Sequence, residues 1–137
     1  MGDGPGRLVD VAVQLNHTIV HARDSRASAA FVAELLGLPA PTHAMRFEVV
    51  EAANGVSLDF MDVDGDITPQ HYAFLVGESD FDEIFGRVTT RGMPHWADPG
   101  QSQPGQINTR WGGRGVYFED PDGHLLEILT RPYSSGG

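Results

Sequence analysis

The feature that most constrains this chain is that its first half is answered by its second. Asn16-His17-Thr18 is answered by Gln70-His71-Tyr72, and Gly55-Val56-Ser57-Leu58-Asp59-Phe60-Met61 by Gly123-His124-Leu125-Leu126-Glu127-Ile128-Leu129. The order of local signals repeats as well. In each half a β-like run precedes an amphipathic helical stretch, which is closed by Gly and then Pro (Gly37 with Pro39, Gly92 with Pro94) before further β-like runs. The expected architecture is α+β, built from two βαβββ modules, module one over about residues 9–66 and module two over about 67–132 of a single domain.

The local reading supplies the elements. Residues 9–20 are rich in β-branched side chains, and alternation from Leu15 places Leu15, His17 and Ile19 on one face. Asp24 or Ser25 is a candidate N-cap for a helix carrying Ala29, Ala30, Phe31, Val32, Leu35 and Leu36, with Gly37 as its C-cap. Residues 45–52 and 56–63 are β-like and are joined by Ala53-Asn54-Gly55, where Asn-Gly favours a hairpin. The acidic connection that follows contains Asp62-Val63-Asp64-Gly65-Asp66. It lacks the bidentate Glu of a calcium loop and reads as a solvated turn.

In the second half residues 71–76 read as a strand, and Ser79 or Asp80 as the cap of a helix carrying Phe81, Ile84, Phe85 and Val88. Residues 94–113 form a long Gly-, Pro- and Gln-rich loop, a candidate lid or binding loop. The last hairpin turns at Asp120-Pro121-Asp122-Gly123, where Pro presets one backbone angle and Gly accepts the left-handed one. Residues 1–8 and 133–137 read as flexible tails.

Composition limits the partners. A chain of 137 residues with 40% hydrophobic content can bury a real core, and no stretch approaches the roughly 20 apolar residues of a membrane span. A formal net charge of -10 argues against nucleic acid and anionic membrane surfaces, leaving a small organic ligand or another protein. The absence of cysteine excludes disulfides and thiolate ligands. Residues 1–7 lack the apolar run of a signal peptide, so a cytoplasmic location is the default expectation.

The chemistry centres on Glu127, a carboxylate in mid-strand with apolar neighbours, which needs a partner to stay charged. The repeat pairs ionisable positions: His17 with His71, and Asp59 with Glu127. If the halves pack about a pseudo-twofold axis, these four side chains face inward together and make a site for one divalent transition metal. Imidazole and carboxylate suit Fe, Mn, Ni, Co or Zn. Each residue alone has an ordinary reading, since a strand histidine is usually just hydrogen-bonded and Asp59 can bond a nearby amide. His43, His95 and His124 lie beside turns and read as surface residues.

Four segments, Leu15-Asn16-His17-Thr18, Leu35-Leu36-Gly37-Leu38-Pro39, His71-Tyr72-Ala73-Phe74 and the run from Tyr117 through Asp120-Pro121-Asp122-Gly123 to Glu127, resemble the vicinal oxygen chelate superfamily. That superfamily contains glyoxalase I, extradiol dioxygenases, fosfomycin-resistance thiol transferases and bleomycin-resistance binding proteins. The resemblance implies paired βαβββ modules forming a cupped mixed sheet with helices outside, around one metal held by His17, His71 and Glu127, commonly in a homodimer. In its similarity to glyoxalase I the chain offers Asp59 at the fourth ligand position, but has His21 where that enzyme has a glutathione-holding arginine. In its similarity to an extradiol dioxygenase it offers Tyr117 across the hairpin from Glu127, placed to donate to a metal-bound oxygen. The fosfomycin enzymes use a basic pocket, whereas the loop here carries Gln103, Gln106 and Asn108 with Arg110 and Arg114 as its cations, which disfavours a phosphonate.

The resemblance thus implies a divalent-metal-dependent enzyme acting on a small organic substrate that chelates through neighbouring oxygens. It is expected to be either a dioxygenase-like oxidoreductase or a glyoxalase-like lyase or isomerase. Tyr117 and Asp59 are its candidate catalytic residues, and Trp96, Arg110, Trp111 and His21 its candidate substrate contacts. The rival is a non-catalytic antibiotic-binding protein of the bleomycin-resistance type, against which the presence of His17, His71 and Glu127 counts.

Overall fold

The alternation that begins at Leu15 becomes strand β1, His17–Ala22, in which Val20 and Ala22 are buried while His17, Ile19 and His21 stay exposed. The architecture is that of a computed structural model describing residues 12–133. The expected start of the first strand before residue 12, the expected tail at 1–8 and, but for Tyr133, the expected tail at 133–137 lie outside the described residues. Helix α1, Ser25–Leu36, begins where expected: the Asp24 side chain accepts the Ala27 N–H. It ends on Gly37 at φ 71°, a left-handed conformation that glycine adopts without a Cβ penalty.

Three strands complete the first module: β2, Thr42–Ala44, β3, Phe47–Glu51, and β4, Ser57–Asp62. The short, fully exposed β2 is an addition to the expected runs, because Thr-His-Ala carries no alternation to read. The second module follows with β5, His71–Leu75, α2, Glu78–Thr90, a 3₁₀ turn at Arg110–Gly112, β6, Gly115–Glu119, and β7, Leu125–Leu129. The cap of α2 is Gly77, without a side-chain bond, rather than Ser79 or Asp80. Glu78 and Asp80 instead lie in the first turn, where negative charge complements the helix dipole.

The strands form two sheets, ordered β1-β4-β3-β2 and β5-β7-β6. In each, the first strand pairs in parallel with the last, and the remaining pairs are antiparallel. The registers repeat: His17 pairs with Ser57 and Ile19 with Asp59, as His71 pairs with Leu125 and Ala73 with Glu127. The likeness seen in the sequence is therefore a likeness of position. Where the first module has β2, the second has isolated bridges from Trp96 to Tyr117 and to Pro104. Pro94, Pro99 and Pro104 deny that stretch the donors of a regular ladder.

One hydrophobic cluster joins both modules. Val20, Val50, Leu58 and Phe60 of the first sheet, Val32 and Leu35 of α1, Phe81, Ile84 and Val88 of α2, and Val116, Phe118, Leu126 and Ile128 of the second sheet all belong to it. Period-two alternation then fixes the rest: the opposite face of each sheet, bearing His17 and Asp59 or His71 and Glu127, looks away from the helices.

The modules are also bolted together by the last hairpin turn. His124, expected at the surface, is only 1% exposed. Its Nδ1 accepts the Gln70 N–H at 3.0 Å and its Nε2 donates to the His21 carbonyl at 2.9 Å, which fixes a neutral tautomer. Its partners lie 54 and 103 positions away in sequence, beyond the reach of any local pattern. Asp122 reaches the other module too, accepting from the Arg23 N–H at 3.0 Å and the Ser28 hydroxyl at 2.7 Å.

Candidate metal centre

Glu127 sits at the middle of β7, the central strand of its sheet, and is 1% exposed. Register places Ala73 beside it on β5 and Tyr117 beside it on β6. The small Ala73 leaves room for His71 to reach across, so that His71 Nε2 lies 3.0 Å from Glu127 Oε1. A pair at that distance shares a proton, and a divalent cation can take the proton's place. The other carboxylate oxygen, Oε2, accepts from the Tyr133 hydroxyl. Since that proton is committed, Tyr117, whose hydroxyl is 2.8 Å from that of Tyr133, must be the donor in their contact. The result is a chain of donors, Tyr117 to Tyr133 to Glu127.

Burial is the main cause that pushes both phenols above the ordinary tyrosine range. Glu127 adds to the effect, while the charge of Arg110 acts against it at Tyr117. Both hydroxyls therefore hold their protons at neutral pH. The His71 ring lies 5.8 Å from that of Tyr117, closing a small aromatic wall around the carboxylate.

Of the residues singled out from the sequence, His71, Glu127 and Tyr117 come together. His17 and Asp59 do not join them. Among the described residues, no group of three or more His, Asp or Glu side chains of one chain is placed to hold a metal ion. His17 is exposed on β1 with Nδ1 2.8 Å from the Asn16 side chain, and Asp59 accepts the Ser57 hydroxyl at 2.8 Å. The four side chains expected to converge do not meet among the described residues of one chain: the two faces that carry them lie opposite the shared core.

The remaining candidates are dispersed. His21 is exposed, its carbonyl taken by His124. Trp96 is half-buried and paired across from Tyr117, one position out from Glu127's own strand pair. Arg110 and Trp111 lie on the exposed 3₁₀ turn, and the Trp111 ring is 6.1 Å from that of Tyr133. Arg114 is committed elsewhere: it contacts Glu78 at 2.9 Å and Asp82 at 2.8 Å and lies over the Phe81 ring. A mainly apolar cleft of about 470 Å³ runs beside His71, between Leu15 and Thr18 on one side and Phe74 and Leu75 on the other. Tyr133 escaped the sequence reading. It follows β7 by four residues among Arg, Pro and Ser, with no periodicity to place it.

The donor set suits a divalent cation that accepts nitrogen and oxygen, since a desolvated carboxylate already faces an imidazole nitrogen. Two such donors would leave most of a metal's coordination sphere to be supplied from elsewhere.

Known proteins share this fold. Residues 14–128 match the family described as the Glyoxalase/Bleomycin resistance protein/Dioxygenase superfamily. The structure of "Oxidase ChaP-H1" superposes with a TM-score of 0.89 at 65% identity, over 90% of this chain and 100% of that one. "Oxidase ChaP-H2" does so at 0.90 and 61%, over 93% and 100%. "Glutathione transferase FosA" of Serratia marcescens is 32% identical over 122 residues, covering 83% of this chain and 78% of that protein. With the repeated βαβββ order and its matched registers, these likenesses establish that the chain belongs to the glyoxalase/bleomycin resistance protein/dioxygenase superfamily.

Proposed function

We propose that the chain is a divalent-metal-dependent enzyme of this superfamily whose centre is completed in a homodimer, with His71 and Glu127 from one copy and the partner subunit's His17. The observation that carries the reading is the contact between His71 and the buried Glu127 carboxylate. Its completion by a second copy rests on the geometry of the faces: His17 and Asp59 stand on a sheet face that the chain's own helices do not cover, with Ile19 between them 45% exposed. Such a face is free to meet a second molecule.

The substrate is a small organic molecule that presents two neighbouring oxygens. A bound divalent metal would supply Lewis acidity toward those oxygens. Tyr117 and Tyr133, kept protonated by burial, supply hydrogen-bond donors beside the carboxylate, and Arg110 and Trp111 line the approach. Asp59 is a candidate base beside His17, on the face that a partner would bring to the centre. Two relatives named as oxidases, at 65% and 61% identity, favour oxidative over isomerase chemistry. The likeness to a fosfomycin-type transferase is countered by Arg114, whose two carboxylate partners leave Arg110 as the loop cation available to an anionic substrate.

Elemental analysis of protein purified without chelator or affinity nickel tests this directly. The expected result is about one transition metal per chain in the wild type, lost in His71→Ala and in Glu127→Ala. No metal in the wild type, with none taken up on titration, would overturn the reading and leave a ligand-binding module.

A further inference from the structure

We propose that Tyr133 is a positioning residue for Glu127, holding one carboxylate oxygen so that the other is presented toward His71, and that Trp111 holds Tyr133 in place. The inference rests on the reading of His71 and Glu127 as ligands. A buried carboxylate with both oxygens free can rotate between ligating through one oxygen and through two. Here Oε2 is taken by the Tyr133 hydroxyl, while Oε1 faces His71 Nε2 at 3.0 Å.

The chain invests in keeping Tyr133 there. The segment after β7 is tied to the strand before it: Thr130 N–H donates to the Arg114 carbonyl at 2.9 Å and Arg114 N–H to the Thr130 hydroxyl at 2.9 Å. Gly113 has no Cβ because one would come within 2.4 Å of the Arg131 side chain. Trp111 adopts φ 59°, a left-handed conformation that is uncommon for a large side chain, and its indole packs against the Tyr133 ring. Strain and a missing side chain in the turn before β6 thus converge on the placement of one phenol beyond β7. Tyr117 completes the network by donating to the Tyr133 oxygen, which strengthens the Tyr133 donor.

The test uses the full chain stripped of metal and titrated with Mn²⁺, and separately loaded with Co²⁺ for its visible absorption, in wild type, Tyr133→Phe, Trp111→Ala and Glu127→Ala. Glu127→Ala should lose binding. Tyr133→Phe should bind Mn²⁺ about tenfold more weakly, the lower end of the effect of removing a ligand's hydrogen-bonding partner, and shift the Co²⁺ bands. The metal-free chain should still unfold in one cooperative thermal transition. Trp111→Ala should fall between wild type and Tyr133→Phe. Wild-type Mn²⁺ affinity and Co²⁺ bands in Tyr133→Phe, with Glu127→Ala still unable to bind, would overturn the role of Tyr133 and spare the metal centre. Weaker binding with unchanged bands would also overturn it, in favour of simple packing. Absence of Mn²⁺ and Co²⁺ binding in the wild type would overturn the metal reading itself.

Discussion

Two carboxylates of the same hairpin are buried, and the chain treats them differently. Glu127 is met by an imidazole and a phenol, a set that a cation can enter. Asp120, 6% exposed, is met by backbone: its Oδ1 accepts the Asp122 N–H at 2.9 Å and the His124 N–H at 2.9 Å. Those bonds favour the charged form, yet burial outweighs them and holds the Asp120 carboxyl above the ordinary aspartate range. The sign of the consequence follows. A carboxyl whose value is raised on folding keeps its proton longer in the native state, so its contribution is full below the unfolded value of about 3.9 and is lost as pH rises through the native value. Asparagine at this position can still accept both amides but cannot titrate. Between about pH 4 and pH 7 the stability difference should therefore shift in favour of Asp120→Asn, as read from urea midpoints at a series of pH values. A difference that stays constant across that range, or shifts the other way, would mean that burial does not dominate at Asp120.

At the scale of elements, the turn from Asp120 to Gly123 does more than reverse the chain. Asp122 takes the Arg23 amide and the Ser28 hydroxyl, and His124 bridges Gln70 to the carbonyl of His21, so the tip of the last hairpin joins the two modules at the start of α1. Asp122→Ala leaves two donors near the first turn of α1 without their acceptor and should cost about 1–3 kcal/mol, measured as a fall in the urea midpoint at unchanged slope. A loss within experimental error would show the joint to be carried by His124 and the apolar core alone. This joint also marks the limit of what the sequence discloses. Caps, turns and alternation are local, so Asp24, Gly37, the strand pattern and the pairing of His17 with His71 could be read directly. The burial of His124 and the return of Tyr133 to Glu127 depend on partners 54 and 6 positions away that no local pattern names. Short β2 escaped for the opposite reason, being too brief and too exposed to carry any pattern.

At the scale of the whole molecule, the repeat accounts for why one chain would hold only half of the proposed centre. Each module presents a histidine and a carboxylate at matched register, His17 with Asp59 and His71 with Glu127, on the sheet face opposite the helices. Because the helices join both sheets in one core, the two faces cannot close on each other within the chain. The proposed twofold dimer would solve this by setting the first module of each copy against the second module of the other, with two equivalent centres as the outcome. The arrangement has a consequence that a single-chain site lacks. His17→Ala and His71→Ala should each bind no metal as homodimers, yet a heterodimer of the two contains one centre in which His17, His71 and Glu127 are all intact and one in which both histidines are missing. Unfolded together and refolded as an equal mixture, half the dimers are mixed and one centre in two of those is whole, so metal binding should recover to about a quarter of the wild-type capacity. Mixing without unfolding should restore it only as fast as subunits exchange. If the three ligands gathered within one chain, every chain in the mixture would still lack a histidine and no capacity would return.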